Sequence, residues 1–301
     1  MSSAGARVTL FGGSGFIGRR LSIALRQRGV PVRIVSRHRP AASLGSGDAE
    51  TVHADLHRAG AAKEAASGSA IVINMIRVCI ERDAQMATAV GADDAVAQSA
   101  AENGARLIYL STIGADPAAP ALYAQWKGQG EANARKRVPG VAILRPSVVF
   151  GPGDNIVNRF AGMARSLPIL PLVGGGRSRM QPVYVEDVVD AILAAIDGLC
   201  APGAVYELGG PEVLTLKDLL QFIFRTIGRH PPLVPVPYPV ATMLGMVLQR
   251  LPRPPITVDQ VRLLRRDNVV SDWARREGLT LEGLGIRPRA LAQIVPGYLR
   301  G

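Results

Sequence analysis

The 301-residue sequence predicts an α/β fold, a doubly wound parallel sheet with a small C-terminal α/β lobe. Three observations carry the prediction. Short, almost wholly apolar runs alternate with helix-period segments through the first half, as in parallel sheets covered on both faces. A glycine-rich turn lies between the first apolar run and the first helical stretch, where doubly wound sheets bind nucleotides. Apolar residues make up 48% and charged residues 20% of a chain long enough for an ample core, which excludes disordered and collagen-like classes.

The elements follow in order. Residues 7–11 read as a buried strand, followed by Gly12-Gly-Ser-Gly-Phe-Ile-Gly18. Residues 19–28 have helical periodicity and stop at Gly29, a residue suited to ending helices. Residues 31–36, 51–54, 70–74, 106–111 and 141–145 are the next five strands. Helices at 84–103, stopped by Asn103-Gly104, and at 123–137 separate the later ones. Beyond Arg145, prolines punctuate shorter elements, with helices at 186–197 and 215–228. The proline-dense run 231–255 cannot be one regular element. Residues 1–150 are therefore assigned as a dinucleotide-binding core, and 151–301 as a segment that completes the sheet and forms a small substrate or partner lobe.

Gly12, Gly15 and Gly18 stand as GxxGxxG between strand and helix. The first permits a tight turn, the second a close approach to a diphosphate, and the third close packing of helix on sheet. The helix N-terminus adds free N–H donors and partial positive charge. A P-loop is excluded, because Arg19-Arg20 replaces the lysine and hydroxyl residue that such a loop needs.

An NAD site normally ends its second strand in Asp or Glu. No acidic residue occurs from Ala4 through Gly47, and the second strand ends in Ser36-Arg37-His38-Arg39. A guanidinium fork suits a 2′-phosphate, so NADP(H) is favoured over NAD(H). Asp55-Leu56 follows the third strand, where a carboxylate would meet the adenine amino group.

Tyr123 and Lys127 form a YxxxK, on one face of a helix at i and i+4. A phenol has a pKa of about 10; a neighbouring ammonium and a nicotinamide cation favour its phenolate, giving an acid/base nearer neutral pH. Lys127 also suits the nicotinamide ribose, and Ser111 or Thr112, closing the fifth strand, suits a substrate carbonyl.

The glycine turn, Tyr123/Lys127 and Leu144-Arg-Pro-Ser-Val-Val-Phe-Gly151 resemble the extended and atypical short-chain dehydrogenase/reductase superfamily. Gly174-Gly-Gly-Arg-Ser-Arg-Met-Gln-Pro-Val-Tyr-Val-Glu-Asp-Val188, the segment 255–270 and Leu284-Gly-Ile-Arg-Pro288 resemble, more narrowly, the nucleotide-binding accessory subunit of respiratory complex I and its bacterial homologues. The resemblance implies a Rossmann core holding NADPH and a structural, assembly or redox-sensing role. The alternative is a working NAD(P)-dependent reductase, dehydrogenase or epimerase on a carbonyl or sugar nucleotide, through Tyr123, Lys127 and Ser111. With the resemblance, the nucleotide contacts are Gly12, Gly15, Phe16, Ile17, Gly18, Ser36, Arg37, Arg39, Asp55, Leu56, Asn74, Lys127 and Pro146. Ser147 and Val148 would flank the carboxamide, and Asn158, Arg159, Arg177 and Arg179 fall where extended relatives bind substrate. Asp187 is read as orienting backbone. One departure stands out: relatives commonly carry glycine three residues after the asparagine that closes the fourth strand, and here that position is Arg77.

The net charge of +11 is uneven. Residues 1–50 hold eight basic and two acidic residues and residues 251–301 nine and five, leaving one net positive charge between. The first cluster surrounds the proposed 2′-phosphate site. The second borders the apolar stretch 239–248 and suggests an anionic membrane surface or a complex I subunit as partner. Nucleic acid is not expected, since no zinc-finger spacing or basic heptad occurs and aromatics are only 5%. Cys79 and Cys200 match no metal or disulfide pattern, so no metal is expected and a reducing, cytoplasmic setting is, peripheral to the inner face of the membrane. No signal peptide or spanning run is evident, which fits a bacterial or processed chain.

Overall fold

A computed structural model of the chain describes residues 6–37, 49–77, 83–251 and 254–299. The first half alternates strand and helix: β1 (Val8–Phe11), α1 (Phe16–Gln27), β2 (Val32–Ser36), β3 (Glu50–His53), α2 (Ala61–Ala66), β4 (Ile71–Asn74), α3 (Asp83–Glu102), β5 (Arg106–Leu110), α4 (Leu122–Arg137) and β6 (Ala142–Pro146). The second half holds β7 (Val149–Phe150), α5 (Val157–Ser166), β8 (Leu170–Val173), β9 (Arg179–Met180), β10 (Val183–Tyr184), α6 (Val185–Ile196), β11 (Val205–Leu208), β12 (Leu214–Thr215), α7 (Leu216–Ile227) and β13 (Leu233–Val236). Helices α8 (Tyr238–Leu248), α9 (Val258–Leu263), α10 (Asp272–Arg276), α11 (Leu291–Ile294) and α12 (Pro296–Leu299) follow.

Seven strands form one parallel sheet in the order β11-β6-β5-β4-β1-β2-β3. The order reverses between β1 and β4, which opens a crevice beyond the strand ends. Side chains alternate across the sheet, and both faces are apolar. Leu10, Ile34, Ile73, Ile108 and Leu144 pack against Leu21 and Leu25 of α1 and Val188 and Ile192 of α6. Phe11, Val35, Val72, Leu107, Tyr109 and Ile143 face the other way, onto the alanines of α2 and α3 and Ala134 of α4. A third core joins α5, β8 and α7 to α11 and α12 through Leu170, Leu172, Leu219, Ile223, Leu291 and Val295.

The differences from the sequence reading are local. Strand β11, by which the second half joins the sheet, has no position in the sequence reading, and helix α2 is absent from it, because one is four residues with a glutamate and the other six residues, mostly alanine. Helix α1 begins at Phe16, not Arg19, since Gly15 serves as its N-cap. The proline-dense run divides into β13, paired with β8, and α8, with proline in its first turn. Among the described residues no helix is long and apolar enough to cross a membrane, and no cluster of metal-ligating side chains occurs.

Candidate functional site

The glycine turn joins β1 to α1 at the reversal point of the sheet. Gly12 has φ +85°, and a Cβ there would lie 2.6 Å from the Met75 carbonyl oxygen. At Gly18 a Cβ would lie 2.5 Å from Gly13 Cα. The turn therefore has no room for a side chain at Gly12 or Gly18, and the α1 backbone seats directly on it. The α1 N-terminus has no side-chain cap and no acidic residue in its first turn. Its free N–H groups and partial positive charge fit a nucleotide diphosphate. Phe16 and Ile17 open that helix, and the Arg20 guanidinium lies 4.5 Å over the Phe16 ring.

Ser36 closes β2, and its hydroxyl lies 3.4 Å from that of Ser14, which ties the turn to the second strand. Arg37 follows, exposed, with no hydrogen bond or ion pair found to it among the described residues. Arg39 lies outside the described residues, as does Cys79. Asp55 is exposed and accepts the His57 N–H, while Leu56 packs partly on the second core. Cys200 is a buried free thiol whose pKa burial raises to about 11.

Helix α4 carries Tyr123 and Lys127. Tyr123 is half-buried, edge-on to Trp126 at 5.7 Å. Lys127 is 2% exposed, and its ammonium donates to the carbonyls of Ile76 (3.0 Å) and Leu110 (3.1 Å), just beyond β4 and at the end of β5. An ammonium has three donors; the third meets no carbonyl among the described residues, and the ammonium also lies 4.2 Å over the Trp126 ring and 4.9 Å over the Tyr109 ring. Burial pushes the Lys127 pKa down, Asp93 and Glu131 oppose that shift, and the Arg77 charge adds to it. Arg77 itself is exposed beyond β4.

Behind Lys127 lies a buried polar chain. Asp93 accepts from Asn74 Nδ2 (2.8 Å) and the Tyr109 hydroxyl (2.6 Å), and Asn74 Oδ1 accepts the Ile76 N–H (3.0 Å). Burial raises the Asp93 pKa against the pull of Lys127, and burial with Asp93 raises that of Tyr109. Asn74 is thus buried within the chain that fixes the Ile76 peptide under Lys127.

Ser111 is buried, and its hydroxyl donates to Glu131 Oε1 at 2.5 Å. The same carboxylate takes a two-point contact from Arg145, at 2.8 and 2.6 Å. Pro146, which ends β6, is buried, and the Ser147 hydroxyl donates to Asn268. Two of the lobe guanidiniums are engaged inside the protein: Arg159 with the carbonyls of Pro254 and Pro255, and Arg179 with Asp267. Asp187 is fully buried and accepts from the main-chain N–H and Nε of Arg289, which pins that segment.

Sequence reasoning missed Asp93, Tyr109, Glu131 and Asp259. Glu131 had a signal, since Tyr123, Lys127 and Glu131 repeat every four residues on one helix face. Asp93 sits in an alanine-rich helix where an acidic residue reads as surface. Asp259 reaches α4 from 136 residues away, which no local pattern carries.

Comparison with known proteins supplies the family context. The model of the NAD dependent epimerase/dehydratase family matches residues 8–209. The mitochondrial NADH dehydrogenase [ubiquinone] 1 alpha subcomplex subunit 9 of Arabidopsis thaliana is 31% identical over 96% of this chain and 76% of its own. Ceramide reductase of Caulobacter vibrioides is 28% identical over 80% of this chain and 77% of its own. Two solved structures share the fold: UDP-glucose 4-epimerase of Thermotoga maritima with UDP-glucose (TM-score 0.72, 18% identity, covering 98% and 96%) and dTDP-glucose 4,6-dehydratase of Streptomyces venezuelae with NAD (TM-score 0.72, 20% identity, covering 98% and 96%).

Proposed function

The chain belongs to the NAD-dependent epimerase/dehydratase family, and from that premise we propose that it is an NADP(H)-binding protein of the complex I accessory-subunit type, with a structural, assembly or redox-sensing role. The observation that carries this reading is how the pair's donors are used. Lys127 spends two N–H bonds on main-chain carbonyls, and Ser111 spends its hydroxyl on Glu131. With Lys127 and Ser111 so tied, the remaining Lys127 donor and the Tyr123 hydroxyl hold a ribose without proton exchange. The likeness to mitochondrial complex I subunits over 96% of the chain supports the same role.

In this reading residues 1–150 carry the nucleotide. The glycine turn and the α1 N-terminus hold the diphosphate, and Arg37, exposed beyond β2, pairs with the 2′-phosphate. Asp55 takes the adenine amino group, and Pro146 borders the nicotinamide. Residues 151–301 form the partner lobe. Exposed Met243, Leu244 and Val247 on α8, with Arg250, Arg262 and Arg265 nearby in sequence, support work beside complex I subunits on a membrane face.

The second reading, an NADP-dependent reductase, dehydrogenase or epimerase, is favoured by the half-exposed Tyr123 one helical turn from Lys127. When bound, the nucleotide supplies hydride donor or acceptor chemistry at its nicotinamide. Tyr123 then holds the proton at Oη, the Lys127 ammonium favours its phenolate, and Ser111 must leave Glu131 to polarise the carbonyl. Assay of the purified chain against a carbonyl panel with NADPH separates the readings. Turnover that Tyr123→Phe abolishes overturns the structural role; retained cellular function and bound NADPH in Tyr123→Phe overturn the catalytic one.

A further inference from the structure

We propose that Asp259 is the positioning residue for Tyr123, holding the start of α4 from the C-terminal lobe. The inference rests on α4 contacting the nucleotide, as proposed above. Helix α4 begins without a cap of its own: its N-cap is Ala121, in extended geometry at φ −87° and ψ 124°, with no side-chain hydrogen bond and no acidic residue in the first turn. An α-helix leaves its first N–H groups unpaired, and a carboxylate there satisfies them and complements the helix dipole. That carboxylate comes from α9. Asp259 Oδ1 accepts the Leu122 N–H at 2.6 Å, and Oδ2 the Tyr123 N–H at 3.2 Å. Asp259 is 6% exposed. Burial raises its pKa, and the two amides oppose that shift.

The contact links three layers of the molecule. Thr257 caps α9 by accepting the Gln260 N–H, which sets Asp259 in the first turn. Gly245 lets α8 seat on the same turn: a Cβ there would lie 2.9 Å from the Val258 nitrogen. The outer face of α8 is exposed at Met243 and Val247, both 64%. The lobe that presents this face therefore grips the peptide group of Tyr123 through one carboxylate. Lys127 lies one turn further along α4, so its reach to Ile76 and Leu110 follows the same helix start.

The test uses the full chain with NADPH as probe. Hydrogen exchange is followed at residues 120–126 and in α9, beside NADPH affinity by fluorescence titration. Asp259→Ala is expected to speed exchange of the Leu122 and Tyr123 amides about tenfold and to weaken NADPH severalfold. Asp259→Asn, nearly isosteric and one acceptor short, falls between and serves if the alanine variant does not fold. Ala121→Ser, added to Asp259→Ala, restores a local cap. It should recover the slow exchange at Tyr123 and the affinity, while Leu122 still exchanges fast and α9 stays loosened, which a lobe-docking role for Asp259 would not allow. Unchanged exchange at Leu122 and Tyr123 overturns the proposal. So does faster exchange with unchanged NADPH affinity, provided Lys127→Ala weakens binding. If Lys127→Ala leaves affinity unchanged, the nucleotide reading of α4 fails, and the exchange data still decide whether Asp259 holds the helix start.

Discussion

Replacing Gly12 with alanine is expected to cost roughly 2–5 kcal/mol of folding stability. Two contributions add. The residue sits at φ +85°, and a left-handed conformation costs an L-residue about 1–2 kcal/mol. The new Cβ would also lie 2.6 Å from the Met75 oxygen and 2.8 Å from its carbonyl carbon. These are backbone atoms just past β4, so relief requires moving the chain, and such overpacking costs about 1–3 kcal/mol. Gly29→Ala is the matched control. It has φ +70° with nothing within 4 Å, so it carries only the conformational cost of about 1–2 kcal/mol. Displacing Met75 also disturbs Ile76, whose carbonyl accepts from Lys127. Nucleotide affinity should then fall at least about tenfold, some 1.4 kcal/mol, in Gly12→Ala and stay unchanged in Gly29→Ala. Urea unfolding by circular dichroism and NADPH fluorescence titration measure the two effects. If Gly12→Ala unfolds within about 0.5 kcal/mol of Gly29→Ala, the steric account of the turn is wrong.

Other perturbations test separate parts of the account. Glu131→Ala leaves the Arg145 guanidinium without its two-point partner and should cost about 3 kcal/mol by urea unfolding; Ser111→Ala should cost only about 1 kcal/mol. Equal costs would mean that Glu131 mainly serves Ser111. Asp218 is held below the usual carboxylate range by the Thr215 hydroxyl and amide, and Asp267 by the main-chain N–H and guanidinium of Arg179. A depressed folded pKa adds stability above the unfolded value, near pH 4, and that stability is lost as pH falls through the folded pKa. The urea midpoint gap between the wild type and Asp218→Asn/Asp267→Asn should therefore be widest above about pH 4 and narrow below it. A gap that holds constant down to low pH would contradict the assignment. Thr215→Ala removes the reciprocal cap of α7 and should cost about 1 kcal/mol, with no effect on nucleotide affinity.

Much of the fold was legible in the sequence because apolar alternation is a local signal. Leu10 and Phe11 point to opposite faces of β1, and both faces are covered, so the strand reads as an unbroken apolar run. Apolar pattern alone sets strand β3 one residue late, since it lies at the sheet edge with three of four residues exposed. Strand β11 escaped notice because its pairing with β6 is set by packing, not by its own pattern. At the site, the glycine spacing and Tyr123/Lys127 announce themselves through residue type and period. What the sequence hid is the engagement of those groups. Asn74, Asp93 and Tyr109 form one chain from three different elements, and Asp259 joins α4 across two lobes. Likewise, Arg159 and Arg179 look free in sequence but are bound to Pro254, Pro255 and Asp267 in the fold.

The central claim is that this chain binds a phosphorylated dinucleotide through the glycine turn and Arg37. Parallel titrations of the purified chain with NADPH and NADH test it most directly. Charge-assisted contacts to one phosphate contribute about 1.5–3 kcal/mol, so NADPH should bind roughly 10- to 100-fold tighter than NADH. Arg37→Asp should erase or reverse that preference. Equal affinity for the two nucleotides in the wild type, or a preference that survives Arg37→Asp, would contradict the account.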